Sequence, residues 1–401
     1  MSKTNTAGNR MIQINNGIIG PREPRRKTVK VKKTSDYPEV SKAHLEVAEI
    51  YANHKMAGGV PICDESIALM LHLFTEEEAS VMRHLKPGVK ETAKSLAEAE
   101  HRPVEEVKKI LHGLTNEKHI IVSRGSGEEK VYVALPLLPG VFEFVLFRPS
   151  MDTLTDWHRR FCELFEKLFE TGYLVDVVSK APPSIKYLPV GQVIESNSTA
   201  FPSDKLEEVF SQYKTFGVTL CQCRMTEKVV GRGCERPMEV CMSMGPMAEV
   251  AIQSGRIRRI EMKEALEIKA EAEASGLVSW ISNQDPKIGG TSCSCCGCCC
   301  HFMRRISEFN SPGRIAIPHF MPKVDLEQCN FCGKCALACP MGAITVDIVN
   351  NKHVHDPNRC IGCAQCAVAC SKLKAIEMKA LPDYQEFIQN STRSILSASG
   401  D

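Results

Sequence analysis

The residues with the clearest chemical potential in this chain are its cysteines, and they are unevenly spread. Of twenty, Cys63 and Cys162 stand alone and eighteen follow residue 220. Such clustering points to metal chemistry rather than a disulfide framework. Cys329, Cys332, Cys335 and Cys339 are spaced C-x2-C-x2-C-x3-C and precede Pro340. Cys360, Cys363, Cys366 and Cys370 repeat that spacing, with Ser371 where the proline would be. Thiolates with this spacing on a loop wrap three corners of a cube. The fourth cysteine opens a helical turn, points away and serves a second cube. Structural zinc sites use paired C-x2-C hooks, a plan that these runs do not fit.

The two runs resemble the bacterial two-cluster ferredoxin, over residues 321–380. The resemblance implies two [4Fe–4S] clusters. Cys329, Cys332, Cys335 and Cys370 would hold one, and Cys360, Cys363, Cys366 and Cys339 the other.

Two further cysteine groups lie upstream. The first is Cys221-Gln222-Cys223-Arg224 with Cys234 and Cys241. The second is the dense run Cys293, Cys295, Cys296, Cys298, Cys299 and Cys300, followed by His301. So many exposed thiols would oxidise unless something bound them. Neighbouring cysteines point in different directions, so the run must face more than one site. Two groupings are open. Either Cys221, Cys223, Cys234 and Cys241 form one site and the run another, or Cys221 and Cys223 join part of the run. In the second case Cys234 and Cys241 are structural, or bind zinc with other members of the run. An additional iron–sulfur cluster is the leading expectation and zinc the alternative, since thiolates accept either metal. Arg224, beside these thiolates, would lower their pKa and offset cluster charge.

The elements that position these residues form an α+β, multidomain chain. Residues 1–40 read as a flexible basic tail with Arg22, Arg25, Arg26, Lys27, Lys30, Lys32 and Lys33. Residues 41–150 contain a winged-helix pattern. Thr75-Glu76-Glu77-Glu78 is a capping box, Thr92–Glu100 a second helix, and Val104, Val107, Ile110, Leu111 and Leu114 mark a third after Pro103. Two strands joined at Gly125-Ser126-Gly127 complete it. Residues 151–320 form a cysteine-rich central α+β domain. It opens on an amphipathic helix, Thr153–Gly172, striped with Leu154, Trp157, Phe161, Leu164, Phe165, Leu168 and Phe169. A Glu-, Lys- and Ala-rich helix over Ile260–Ser275 separates the two upstream cysteine groups. Residues 321–380 are the ferredoxin segment, and 381–401 a C-terminal tail.

The formal charge of +2 argues against a strongly basic nucleic-acid binder. On the third helix, Lys108, Lys109 and His112 could meet phosphate, but Glu105 and Glu106 would repel it. Nucleic acid is therefore the weaker partner expectation and redox proteins the stronger. Val131–Phe147, the most apolar stretch, is too short and broken to span a membrane. No signal peptide opens the chain, so a reducing cytoplasm is the expected compartment.

Taken in order, the winged-helix pattern, the C-x-C-R segment, the C-x-C-C-x-C-C segment and the terminal ferredoxin resemble a group of iron–sulfur proteins of anaerobic bacteria and archaea. The resemblance covers residues 60–380 and implies electron transfer, as a subunit of an oxidoreductase more than as a complete enzyme. Cys300 and the basic arm fall outside its pattern. Two other functions stay open: a redox-sensing winged-helix regulator, and an oxidoreductase with chemistry at an upstream cluster.

Overall fold

The computed structural model describes residues 10–53, 59–175, 185–195, 197–282, 286–287, 289–311, 315–382 and 384. They divide into two compact units. Residues 27–147 and 151–175 belong to one; 10–26, 148–150 and those from 185 onward belong to the other.

In the first unit the expected local signals act as their chemistry requires. Thr75 accepts from the Glu78 N–H at 3.2 Å and the Glu78 carboxylate accepts from the Thr75 N–H at 2.7 Å, opening helix Glu76–Met82. Helices Ala93–Glu100 and Val104–His112 follow, then strands Ile121–Arg124 and Val131–Ala134 in antiparallel register. The short strand Glu91–Thr92 pairs with Val131–Ala134, making a three-stranded sheet. Helix Asp156–Glu170 buries Phe161, Phe165, Leu168 and Phe169, and Trp157 stacks on Phe161 at 6.2 Å and on His72 at 5.0 Å. This helix belongs to the N-terminal unit, not to the central segment as its position in the chain suggested. Its aromatic stripe finds its partner surface on helix Asp64–Leu73. Cys63 and Cys162 are both fully buried here as small apolar side chains.

The second unit is built on a six-stranded antiparallel sheet. Its order is Ile185–Tyr187, Val278–Ser282, Gly290–Cys295, Glu239–Met244, Phe216–Leu220 and Arg258–Ile260. Helix Met262–Ala274 packs on it, burying Ala265, Lys269 and Ala272 along one stripe. The ferredoxin segment adds short helices Lys334–Ala338 and Gln365–Ala369, with strands Phe320–Val324 and Ile376–Ala380 paired antiparallel.

Two expectations about organisation need correction. Residues 12–21 are not a flexible arm. Strands Ile12–Asn15 and Ile18–Pro21 form a hairpin that pairs with Ile344–Asp347, extending the ferredoxin hairpin to four strands. The turn is Asn16-Gly17, both residues with positive φ (49° and 79°), which is what a two-residue hairpin loop demands. Nor do the central and ferredoxin segments have separate cores. One apolar cluster holds Tyr187, Trp280 and Met303 together with Met341, Ala343 and Ile361. Polar contacts cross the same seam: Val190 N–H to Cys363 O at 3.1 Å, Gln365 Nε2 to Leu277 O at 3.0 Å, and Arg359 Nη2 to Ser307 O at 3.1 Å. The C-terminal tail, apart from residues 381, 382 and 384, lies outside the described residues. Among the described residues, no helix is long and apolar enough to cross a membrane.

Candidate metal centres

The two ferredoxin runs are built alike. In each, a left-handed residue precedes the short helix that carries the third cysteine: Gly333 at φ 72° and Ala364 at φ 64°. Glycine adopts that conformation freely, whereas alanine does so at a cost of roughly 1–2 kcal/mol. In each run the N–H two residues after the first cysteine also points at its sulfur. Phe331 N–H meets Cys329 Sγ at 3.4 Å and Gly362 N–H meets Cys360 Sγ at 3.5 Å. Ala343 N–H does the same for Cys339 Sγ at 3.2 Å. Such donors favour thiolate over thiol and tune a metal held by it.

One cavity is lined by Cys339, Cys360, Cys363 and Cys366 with Pro322, Met341, Ile344 and Ile361. This brings one cysteine of the first run among three of the second. Burial is the main force on these thiols when no metal neutralises them, pushing Cys360 up to about 12. Cys335 is likewise pushed up to about 12, first by burial, with Cys329, Cys332 and Cys370 adding like charge. His353 Nε2 lies 3.5 Å from Cys335 Sγ.

The upstream cysteines sort into two groups, buried except for the partly exposed Cys223, Cys234 and Cys293. Cys234, Cys296, Cys298 and Cys299 have all four sulfurs within 4.8 Å of one another. The second group has six members. Cys300 is flanked by Cys223 and Cys295, and Cys241 lies between Cys221 and Cys293. The dense run thus divides between them: Cys296, Cys298 and Cys299 face the first group, and Cys293, Cys295 and Cys300 the second. Cys293 and Cys295 share one face of strand Gly290–Cys295, opposite Trp280 and Val278 in the register. The grouping of Cys221, Cys223, Cys234 and Cys241 as one four-thiol site does not occur, because Cys234 sits on the loop after helix Gln222–Val229 and turns to the other side of the run.

Several polar groups around these thiols carried no motif. Trp280 Nε1 donates to Cys295 Sγ at 3.1 Å. Lys269, 1% exposed, donates to Ser294 Oγ at 3.2 Å. Burial lowers its pKa against the pull of Cys293, Cys241 and Cys295. The helical stripe Ala265, Lys269, Ala272 was the signal that would have found it. The Tyr187 hydroxyl is buried, has no hydrogen-bond partner among the described residues, and lies near Cys300, Cys295, Cys223 and Cys293. Arg224 is fully buried and donates from Nη2 to Cys296 Sγ at 3.6 Å, and from Nη1 to Pro237 O. Burial alone would lower its pKa, but the thiolates of Cys221, Cys296 and Cys234 outweigh it and raise it. His301 is buried, and its backbone N–H is directed at the Cys223 sulfur.

Beneath these sites lies a buried charge network. Arg304, on helix His301–Ser307, pairs with Glu227 at 2.5 Å and Glu308 at 2.6 Å. Arg10 reaches both carboxylates, at 2.5 and 3.3 Å, and Arg25 reaches Glu308 at 3.3 Å. Glu227 lies on the helix that Cys221 caps, and Arg304 on the helix that Cys300 caps. The network therefore pins together the two helices whose N-terminal ends carry these cysteines.

Residues 321–371 match the family described as a 4Fe-4S dicluster domain. Over 61 residues the chain is 39% identical to an uncharacterized ferredoxin of Methanocaldococcus jannaschii. That stretch is 15% of this chain and 37% of the relative, so the chain spans little more than a third of the relative's length. No solved structure matches the chain. The segment near the C-terminus is thus a dicluster iron–sulfur domain, whose chemistry is electron transfer.

Proposed function

We propose that this chain is an electron-transfer protein in which the ferredoxin segment exchanges electrons with a third, upstream iron–sulfur centre. Cys329, Cys332, Cys335 and Cys370 would hold one [4Fe–4S] cluster, and Cys339, Cys360, Cys363 and Cys366 the other. The six-thiol group Cys221, Cys223, Cys241, Cys293, Cys295 and Cys300 would supply the ligands upstream. Its donor set fits such a group: largely buried thiols on several segments, the Trp280 N–H, and a nearby Tyr187 hydroxyl unpartnered among the described residues. When bound, these groups accept and release single electrons. The protein's own part is to hold the thiolates, donate N–H groups to their sulfurs and keep water out.

One observation carries the reading. Cys295 and Cys300 of the upstream group share a single apolar cluster with Cys339 and Cys363 of the ferredoxin segment. Gly297, between the upstream thiols, packs so closely on the Pro340 carbonyl that a Cβ there would lie 1.7 Å from it. No solvent layer separates the two sets of ligands at that point, which suits direct exchange.

Residues 41–150 are read as a winged-helix-like domain, a reading supported by the helix, strand, two-helix and hairpin order of residues 76–134. Its helix Val104–His112 exposes Glu105 and Glu106 beside Lys108 and Lys109, and Lys108 is paired with Glu105 at 2.7 Å. That balance suits a protein partner better than phosphate.

Anaerobically purified protein should contain about twelve irons per chain, at about four per cubane. Cys300→Ala should remove about four of them and one paramagnetic signal of the reduced protein. Eight irons in the parent protein, with none lost in the variant, would defeat the upstream part of the reading.

A further inference from the structure

We propose that Cys234, Cys296, Cys298 and Cys299 hold a single, tetrahedrally coordinated zinc ion that is separate from every iron–sulfur centre in the chain. The inference does not depend on what the six-thiol group binds. It starts from the spacing of the sulfurs. Cys234 Sγ lies 3.8 Å from Cys296 Sγ and 3.8 Å from Cys299 Sγ, and Cys298 Sγ lies 3.8 Å from Cys299 Sγ. A tetrahedron with zinc–sulfur bonds of about 2.3 Å has edges of about 3.8 Å. A cubane binds its four thiolates to four different irons, so the cluster itself stands between the sulfurs and drives them apart. Four sulfurs all within 4.8 Å of one another leave room for one ion at their centre.

Charge independently requires a cationic centre among these sulfurs. Arg224 is fully buried, and among the described residues its polar contacts are the Pro237 carbonyl and Cys296 Sγ, with no carboxylate. Burying a guanidinium is strongly unfavourable unless an anion faces it. Arg236 adds a second cation, with Nη1 3.8 Å from Cys298 Sγ and Nε bonded to Ser275 O at 3.0 Å. The anion facing both must be thiolate. Four thiolates so close repel one another unless a cation lies between them. A divalent ion with four thiolates carries a net charge of −2, which two arginines balance.

All four positions of the tetrahedron come from protein, so the site is closed, as structural zinc sites are. Zinc also binds such ligands more tightly than ferrous iron does. The ion would staple the loop after helix Gln222–Val229 to the turn Cys296–Cys299. With Cys296, Cys298 and Cys299 held on one side, Cys295 and Cys300 are left to face the other group.

The test is X-ray absorption at the zinc edge on the intact protein, with zinc and iron quantified, for the parent chain and Cys234→Ser. Expected are one zinc per chain, four sulfur neighbours at about 2.3 Å with no metal–metal path, and loss of that zinc in the variant at unchanged iron. Absence of zinc in the parent, iron in its place, or iron lost together with Cys234 would overturn the proposal. The parent spectrum decides the matter even where the variant fails to fold.

Discussion

Arg304→Met tests whether the buried charge network positions the upstream cysteines. Methionine keeps most of the side-chain length and removes the charge. Glu227, fully buried, and Glu308, with 4% of its side chain exposed, would each lose a partner held at 2.5 and 2.6 Å. Removing one partner of a buried ion pair costs about 3–5 kcal/mol. Arg10 and Arg25 remain beside these carboxylates, so the lower end applies, about 3 kcal/mol or more than a hundredfold in the folding equilibrium. For a unit of this size that corresponds to a melting temperature lower by roughly 6–12 °C. The assay is anaerobic thermal unfolding followed by both circular dichroism and the visible absorbance of the metal centres. Metal content should also fall at the upstream sites while the ferredoxin irons stay. A double-mutant cycle with Glu227→Gln should give a coupling of about 0.5–3 kcal/mol. A melting temperature within about 2 °C of the parent, or no coupling, would refute the idea that this pair pins the two cysteine-bearing helices.

Two further outcomes follow from other contacts. Gly297→Ala must displace the Pro340 carbonyl, since its Cβ would lie 1.7 Å away. The expected cost is about 1–3 kcal/mol, read as a lower melting temperature of the cluster-bearing unit, and an unchanged melt would show the seam to be loose. In the N-terminal unit, Glu100 accepts from Arg83 Nη2 at 2.8 Å and His84 Nε2 at 2.9 Å. Burial would raise its pKa, but these donors outweigh burial and hold it below the usual carboxylate value. Its stabilising effect is therefore complete above the unfolded carboxylate pKa, near 4.3, and disappears as pH falls through the lower folded value. Glu100→Gln should lower stability at neutral pH by about 1–2 kcal/mol, and much less in acid. Equal losses at both pH values would mean that charge plays no part.

Local chemistry was legible along the chain because it depends on residues a few positions apart. The C-x2-C spacing identified the dicluster segment, and the capping box at Thr75 and the aromatic stripe after Thr155 marked helices that form. The Asn16-Gly17 turn is an equally local signal, set just before the basic residues that suggest a tail. Which thiols meet was not legible. Cys295 and Cys296 are adjacent in the chain, yet their side chains serve different groups. The partners that separate them come from Cys223, on helix Gln222–Val229, and from Cys234, on the loop that follows it. A cysteine's spacing sets how its neighbours can point, but its partners are set by strand register and by where distant helices pack. For the same reason the sequence places Arg224 beside Cys223 but does not show that it faces Cys296. Only folding removes it from water, and a guanidinium without water must face an anion.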